Sequence, residues 1–338
     1  MTSHRDPHPE LARGTVPVGA RGADQFGEVG AMRDGVGLVA CSGRGFVTVT
    51  ESDAWTFLQS LVSQEVSSLD DGHGVHSLLL SPQGKLDVDF RLLRVGDDAW
   101  LDTDTGFGER LAASLGRFRI RVDATIEDRS GTWGLLAVHG ARVDDLRLGV
   151  PPEQHSHVDW EGVRAVRADW PGVPGVDLIG PVDALEAARA ELVGRGAVEC
   201  GEDALDTVRI EAGVARQSVD YDDNLIPQEA ELELDAVSFS KGCFVGQELV
   251  CRIDTRGHVN RYLRRLAIEG DDVPSPGAEI QADDKVVGTI TSASRAPARG
   301  VVALGFVRRE VEPGAMVGVR VGDALVPATV RERPHPAP

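Results

Sequence analysis

The stretch Phe239–Gly257, FSKGCFVGQELVCRIDTRG, organises the reading of the whole chain. Lys241, Gly242, Cys243, Phe244, Gly246, Gln247 and Glu248 stand together within eight residues. A core segment would alternate apolar and polar residues or repeat every three to four positions, and this one does neither. Glycines permit positive φ and close approach by another group. After Gly246 the run QELVCRI holds good helix formers and no breaker, which predicts a helix. Cys243 then lies in a loop just before a helix N-terminus, where the helix dipole and Lys241 would both favour a thiolate. The plain alternative is a glycine turn around a small buried cysteine.

Either side of this stretch the chain changes character. From Arg261 onward it consists of short alternating runs: YLRRLAIEG, AEIQA, VVGTITSAS, VVALGFVR, MVGVRVG and LVPATV. Gly, Pro and Asp punctuate them, and no helical period intervenes, so a small β-barrel is expected. The N-terminal part interleaves strands and helices. Phe46, Val47 and Val49 begin a strand, and a helix follows with Ser52 or Asp53 as N-cap and Trp55, Leu58, Leu61 and Val62 as its apolar stripe. His76–Leu80 and Lys85–Val95 read as strands joined by the turn SPQG (Ser81–Gly84), with a short strand at Trp100–Asp102. Gly108–Phe118 reads as a helix and Arg119–Asp128 as a strand. Thr132–Val138, Val163–Val166 and Val176–Gly180 are further strands. Val182–Arg195 and Ala204–Gly213 are helices closed by glycines. Together these predict an α+β protein with antiparallel sheets.

A chain of 338 residues exceeds what one core usually supports, so two or three domains are expected. The net charge of −19 argues against a general affinity for nucleic acid or anionic membrane. Lys85, Lys241 and Lys285 are the only lysines, and all other bases are arginines. Cys41, Cys200, Cys243 and Cys251 form no C-x-x-C pair and have no histidine at zinc-finger spacing, which fits free thiols in a reducing cytoplasm. The Asp220, Asp222, Asp223 and Asn224 cluster fails as a calcium loop, because Leu225 stands where an EF-hand needs glycine. No metal site is expected. No basic start followed by an apolar stretch opens the sequence and no run approaches membrane length, so neither a secretory leader nor a membrane span is expected. Residues 1–23, rich in Pro, Gly, His and Arg, read as a mobile tail.

Several stretches resemble the YgfZ/GcvT-like folate-binding family, relatives of the glycine cleavage T protein. KGCFVGQE (Lys241–Glu248) is similar to the signature of the YgfZ branch. RIEAGVARQSVDYDDNLIPQEAEL (Arg209–Leu232), WTFLQSLVSQEVSSL, LLLSPQGKLDVDF and the C-terminal VVGTITSASRAPARGVVALGFVR resemble other blocks of the superfamily. The resemblance implies a ring of three domains around a folate site: two ferredoxin-like α+β domains with antiparallel sheets and a C-terminal barrel. The first domain would be split into 24–50 and 130–258, with the second at 51–129 and the barrel at 259–333.

The same resemblance assigns roles to residues. Glu211 stands at the family's pterin-binding glutamate, where a carboxylate can accept two parallel hydrogen bonds. Asp87, or Asp89 on the same strand face, stands at the catalytic aspartate, beside the folate nitrogens. Asp220 and Asp222 either cap turns or line the folate pocket. Gln217 occupies the position of a tyrosine in the T protein, which argues against aminomethyl transfer. Lys241, Gly242 and Gln247 border the folate site with Cys243 as the working thiol. Arg252 either pairs with Glu248 or reaches the folate tail. The implied cofactor is tetrahydrofolate and the implied partners are iron–sulfur client proteins, including tRNA-modifying radical enzymes. A cytoplasmic monomer is expected. Aminomethyltransferase activity, or a folate-binding docking module without chemistry, are the alternatives.

Overall fold

The structure, a computed structural model, describes residues 21–297 and 299–334. It opens with α1 (Arg21–Asp34), followed by β1 (Gly37–Cys41). Next come β2 (Gly45–Thr50), α2 (Ala54–Leu61), β3 (Gly74–Leu80), β4 (Leu86–Val95), β5 (Asp98–Thr103), α3 (Gly108–Gly116) and β6 (Thr125–Asp128). The middle of the chain forms β7 (Trp133–His139), β8 (His157–Trp160), β9 (Val163–Arg167), β10 (Gly175–Pro181), α4 (Val182–Gly194), β11 (Val198–Glu199) and α5 (Glu202–Ala212). A long arm then carries α6 (Glu233–Ala236) and α7 (Gln247–Arg256). The last segment forms β12 (Arg261–Ile268), β13 (Glu279–Ala282), β14 (Lys285–Ala296), β15 (Gly300–Arg308), β16 (Met316–Val321) and β17 (Ala324–Arg331).

These strands make three sheets. The first runs β11-β1-β7-β10-β9-β8, the second β3-β4-β5-β2-β6, and the third closes as a barrel in the order β12-β15-β14-β13-β16-β17. The expected α+β class and terminal barrel are thus present. The barrel closes because β12 pairs with both β15 and β17, so no edge is left open.

Three local expectations are corrected. Of the tail assigned to residues 1–23, residues 1–20 lie outside the described residues, while residues 21–23 belong to α1. That helix carries Gly22, Gly27 and Gly30, which hide its period; packing of Val29 and Met32 against Val39, Ala204 and Val208 holds it. The strand expected over Arg119–Asp128 shrinks to β6, since Phe118–Ile120 make tight turns and Arg121 adopts a left-handed φ of 59°. The boundary expected after residue 50 moves forward: β2 pairs with β5 and β6 and so belongs to the second sheet.

The arm, residues 214–256, falls wholly within the expected first domain, yet it crosses between sheets. Tyr221, Leu225, Leu232, Ala236, Phe244 and Val250 share one core with Leu78, Leu80 and Leu86 of the second sheet and Leu263, Leu304 and Phe306 of the barrel. Leu225 also accepts a backbone hydrogen bond from Leu86 at 2.9 Å, extending the edge of β4 beyond the reach of β5.

Candidate functional site at the domain seam

Strand β4 alternates by period two. Leu86, Val88 and Phe90 are buried, while Asp87, Asp89 and Arg91 share the opposite face. That polar face looks onto the arm and the first sheet, and each of its charges finds a distant partner. Asp87 Oδ1 receives Arg110 from α3, with Nε at 2.8 Å and Nη2 at 2.7 Å. Arg91 reaches Asp102 at 2.8 Å and Asp177 of the first sheet at 2.9 Å. Asp89 accepts from Tyr221 Oη and pairs with His76 Nε2, and the other ring nitrogen of His76 meets Asp235 at 3.1 Å. His76, Tyr221, Asp235 and Arg110 were not singled out from the sequence. His76 does open the strand HSLLL opposite Arg91, but its carboxylate partners lie 13 and 159 residues away.

The electrostatics follow from this packing. Burial alone would lower the pKa of His76, but Asp89 and Asp235 raise it well above 6.5 and keep the ring cationic. Burial opposes ionisation of Asp235, yet the facing His76 wins and holds its carboxyl below the usual range. Burial and the Asp89 charge push the Tyr221 phenol well above 10, so it acts as a donor. Nearby His155 is driven down to about 3 by burial and by the charges of Arg91 and His76, and it stays neutral.

Asp87 and Asp89 now separate. Both oxygens of Asp89 are engaged, by His76 and Tyr221. Asp87 engages Arg110 through Oδ1, while Oδ2 has no hydrogen bond among the described residues. Gln217 is fully buried and works as a clip: its Oε1 accepts from Asp89 N at 2.9 Å and its Nε2 donates to the Asp87 carbonyl at 3.0 Å. It completes the free edge of β4, with each end of its amide spent on a strand partner. Asp220 is likewise saturated, accepting from Arg209 Nη1 (2.7 Å), Arg216 N (3.0 Å), Thr291 Oγ1 (2.6 Å) and Ser292 Oγ (2.6 Å). It locks α5 and the arm to β14. Asp222 caps a turn through Asn224 N at 2.9 Å.

Glu211 does not join Asp87. It is buried on α5, and the guanidinium of Arg33 takes both its oxygens, with Nε at 2.9 Å from Oε2. The free carboxylate fork implied for a pterin is therefore occupied from within the chain.

The glycine–cysteine stretch does form a loop ahead of a helix, α7. Gly246 has φ +81°, and a Cβ there would stand 2.5 Å from Ser81 O and 3.1 Å from Gly84 Cα. The two turns thus interlock through their glycines. Phe244 is buried in the core shared with the barrel. Lys241 does not serve the thiol as expected: its Nζ donates to Val62 O (2.6 Å) and Gln64 O (2.8 Å), at the C-terminal end of α2. Burial pulls its pKa down to about 8. Cys243 is exposed, and Gly242 has no atom within 4 Å of where a Cβ would stand. Gln247 opens α7. Arg252 is exposed and makes no ion pair with Glu248 among the described residues, which corrects that expectation.

Comparison with known proteins fits this architecture. The family model for the GCVT N-terminal domain matches residues 23–241, and that for the glycine cleavage T-protein C-terminal barrel domain matches residues 261–335. An aminomethyltransferase of a Nostoc species is 28% identical over 324 residues, covering 90% of this chain and 85% of that protein. One from Rubrobacter xylanophilus is 28% identical over 319 residues, covering 91% and 82%. The crystal structure of the glycine cleavage system aminomethyltransferase T from Bartonella henselae superposes with a TM-score of 0.82 at 21% identity, covering 91% of this chain and 88% of that one, and so shares its fold. With both of its family domains matched in order over nearly all the described residues, the chain belongs to the glycine cleavage T-protein family.

Proposed function

We propose that the chain binds a reduced folate at the seam beside Asp87 and maintains iron–sulfur enzymes through Cys243, as the YgfZ-type signature implies. The observation that carries this is the division of labour within Lys241–Glu248. Lys241 caps α2, Phe244 fills a core and Gly246 interlocks with the SPQG turn, while Cys243 stands exposed with no packing task. A loop so fixed presents its thiol in one place. The seam suits a folate chemically. Asp87 Oδ2 is a free acceptor for a pterin N–H, and Arg110 and Arg216, with side chains 39% and 34% exposed, supply cations for carboxylates. Folate, when bound, supplies a one-carbon carrier or an electron-rich pterin. The residues of this chain bind and orient it.

Two measurements test this. Tetrahydrofolate binding by calorimetry is expected for the wild type and to fall about tenfold or more in Asp87→Asn, since a charge-assisted hydrogen bond becomes a neutral one. In a deletion strain, activities of iron–sulfur enzymes are expected to return with the wild-type gene and not with Cys243→Ala. Full restoration by Cys243→Ala would sink the thiol role. The second reading, aminomethyl transfer, is favoured by the full-length similarity to proteins named aminomethyltransferases and by the available Asp87 oxygen. Formation of methylene-tetrahydrofolate from an aminomethyl-lipoyl carrier would decide for it.

A further inference from the structure

The connection from α3 to β6 opens with Arg117-Phe118-Arg119-Ile120-Arg121, three cations alternating with two large apolar residues. All five are exposed. Phe118 is 41% exposed and Ile120 74%, the highest value of any large hydrophobic residue described. The core of the second sheet takes Leu111, Leu115, Val122 and Ala124 from the same segment and leaves these two outside. Arg117 Nη2 donates to Ser114 Oγ at 3.1 Å and Arg119 Nη1 to the Ala124 carbonyl at 2.9 Å, and none of the three arginines meets a carboxylate among the described residues. The next acid along the chain, Asp123, is engaged by Ser52 Oγ at 2.9 Å. A cation at the C-terminal end of α3 complements the helix dipole, but that does not account for Phe118 and Ile120 standing in water. In a chain of net charge −19, the five residues form a local surface that is both basic and apolar.

This surface leads into an open sheet edge. β6 is the end strand of the second sheet and pairs with β2 alone, Thr125 opposite Thr50 and Asp128 opposite Val47. Among the described residues no backbone group of Thr125–Asp128 bonds on the outer side. An unpaired edge is a template for one more strand. The acids of β6 are already engaged: Glu127 pairs with Arg129, and Asp128 accepts from Ser130 N at 2.9 Å. These features select the occupant. Backbone hydrogen bonds along β6 require a polypeptide, which neither a nucleic acid nor a lipid headgroup supplies. Ile120 has no ring on which a base could stack. The unpaired guanidinium groups call for carboxylates, which they bind through paired N–H donors. Phe118 and Ile120 call for apolar side chains between those carboxylates.

We propose that Arg117–Arg121 and the outer edge of β6 together form a docking site for an extended acidic segment of a partner protein, added to the second sheet as a further strand. Its acids meet the three arginines and its apolar side chains cover Phe118 and Ile120. Neither Asp87 nor Cys243 takes part, so this site stands or falls apart from the folate and thiol reading.

Fluorescence anisotropy of a labelled short peptide alternating Glu and Leu, titrated with the full chain, tests it. That peptide is expected to bind saturably, and a Lys–Leu peptide of the same length is not. The Glu–Leu peptide N-methylated at every second residue is expected to bind about tenfold more weakly or worse, because it cannot donate to the sheet edge. Ile120→Ser and Arg121→Glu alter exposed side chains with no hydrogen bond or ion pair among the described residues. Both are expected to fold as the wild type and to weaken the peptide about tenfold or more. The proposal is overturned if the Glu–Leu peptide does not bind, if the Lys–Leu or the N-methylated peptide binds equally well, or if both variants keep wild-type affinity. Tighter binding of oligouridylate or of phosphatidylserine vesicles would replace the acidic segment with a nucleic acid or a membrane and overturn it too. Self-association in sedimentation that Ile120→Ser abolishes would make the occupant a second copy of the chain, with the same consequence.

Discussion

The two glycines of the signature loop offer a paired test, because the structure gives them opposite roles. Gly246 sits at φ +81°, and a Cβ would meet Ser81 O at 2.5 Å, Leu80 Cβ at 2.9 Å and Gly84 Cα at 3.1 Å. Two of those three atoms are backbone or Cα and cannot swing aside. Alanine at this position incurs the left-handed backbone cost of about 1–2 kcal/mol. Overpacking against a fixed turn adds about 1–3 kcal/mol. Gly246→Ala is therefore expected to destabilise by about 2–5 kcal/mol. Gly242 has open space around it and lies outside the left-handed region, so Gly242→Ala should change stability by no more than about 0.5 kcal/mol. Urea unfolding followed by tryptophan fluorescence, with amide exchange read in α7 and the Ser81–Gly84 turn, separates the two. Equal midpoints and equal protection for both variants would refute the interlocked-turn reasoning. If the stable Gly242→Ala variant nevertheless fails to restore cluster-enzyme activity, that glycine keeps the flank of Cys243 open for a partner.

Gln217→Tyr restores the residue type of the T protein but is expected to cost about 3–5 kcal/mol, because Asp89 N and the Asp87 carbonyl lose their partners and a larger ring enters a full site. A urea midpoint equal to the wild type would show that the clip is dispensable. The His76 clasp predicts a pH signature. His76 is raised well above 6.5, so its contribution is complete below that value and is lost as pH rises through the folded pKa. Asp235 is held below 3.8, so its share is lost only as acid protonates it beneath that value. His76→Gln should therefore lower the melting temperature most between about pH 5 and 7 and converge with the wild type in alkali. A gap that widens with rising pH would contradict the assignment.

Much of this was legible in the chain. The terminal strands announced a barrel by alternation and turn residues, and the SPQG turn formed with Gly84 N donating to Ser81 O at 2.8 Å. Placing Asp87 and Asp89 on one strand face needed only the period of two. What escaped depended on tertiary contacts. The glycines of α1 mask a helix that packing rescues. Nothing local tells β2 to join the second sheet when β1, three residues earlier, joins the first. Gln217 reads as a substituted ligand until its side-chain amide is seen pairing with β4, 128 residues away. Glu211 reads as a free carboxylate until Arg33 arrives from α1, 178 residues distant. In each case a polar side chain expected to serve a ligand is consumed by a partner that spacing cannot reveal.

That accounting narrows where chemistry can occur. With Gln217, Asp220, Lys241 and Glu211 committed to the fold, Asp87 Oδ2 at the seam and the exposed thiol of Cys243 are among the groups left without a partner in the described residues. They are not independent. Gly246 rests on the turn formed by Ser81–Gly84, and Asp87 follows Gly84 by three residues, about 10 Å along an extended chain. The same turn therefore supports the thiol loop on one side and leads into the strand that carries the seam carboxylate on the other. Its glycine-to-glycine contact is too tight to admit a methyl group, so displacement of one loop must displace the other. A ligand held at Asp87 and a partner meeting Cys243 would act on one rigid hairpin. That coupling is a physical reason for the signature to place its glycine and its cysteine three residues apart.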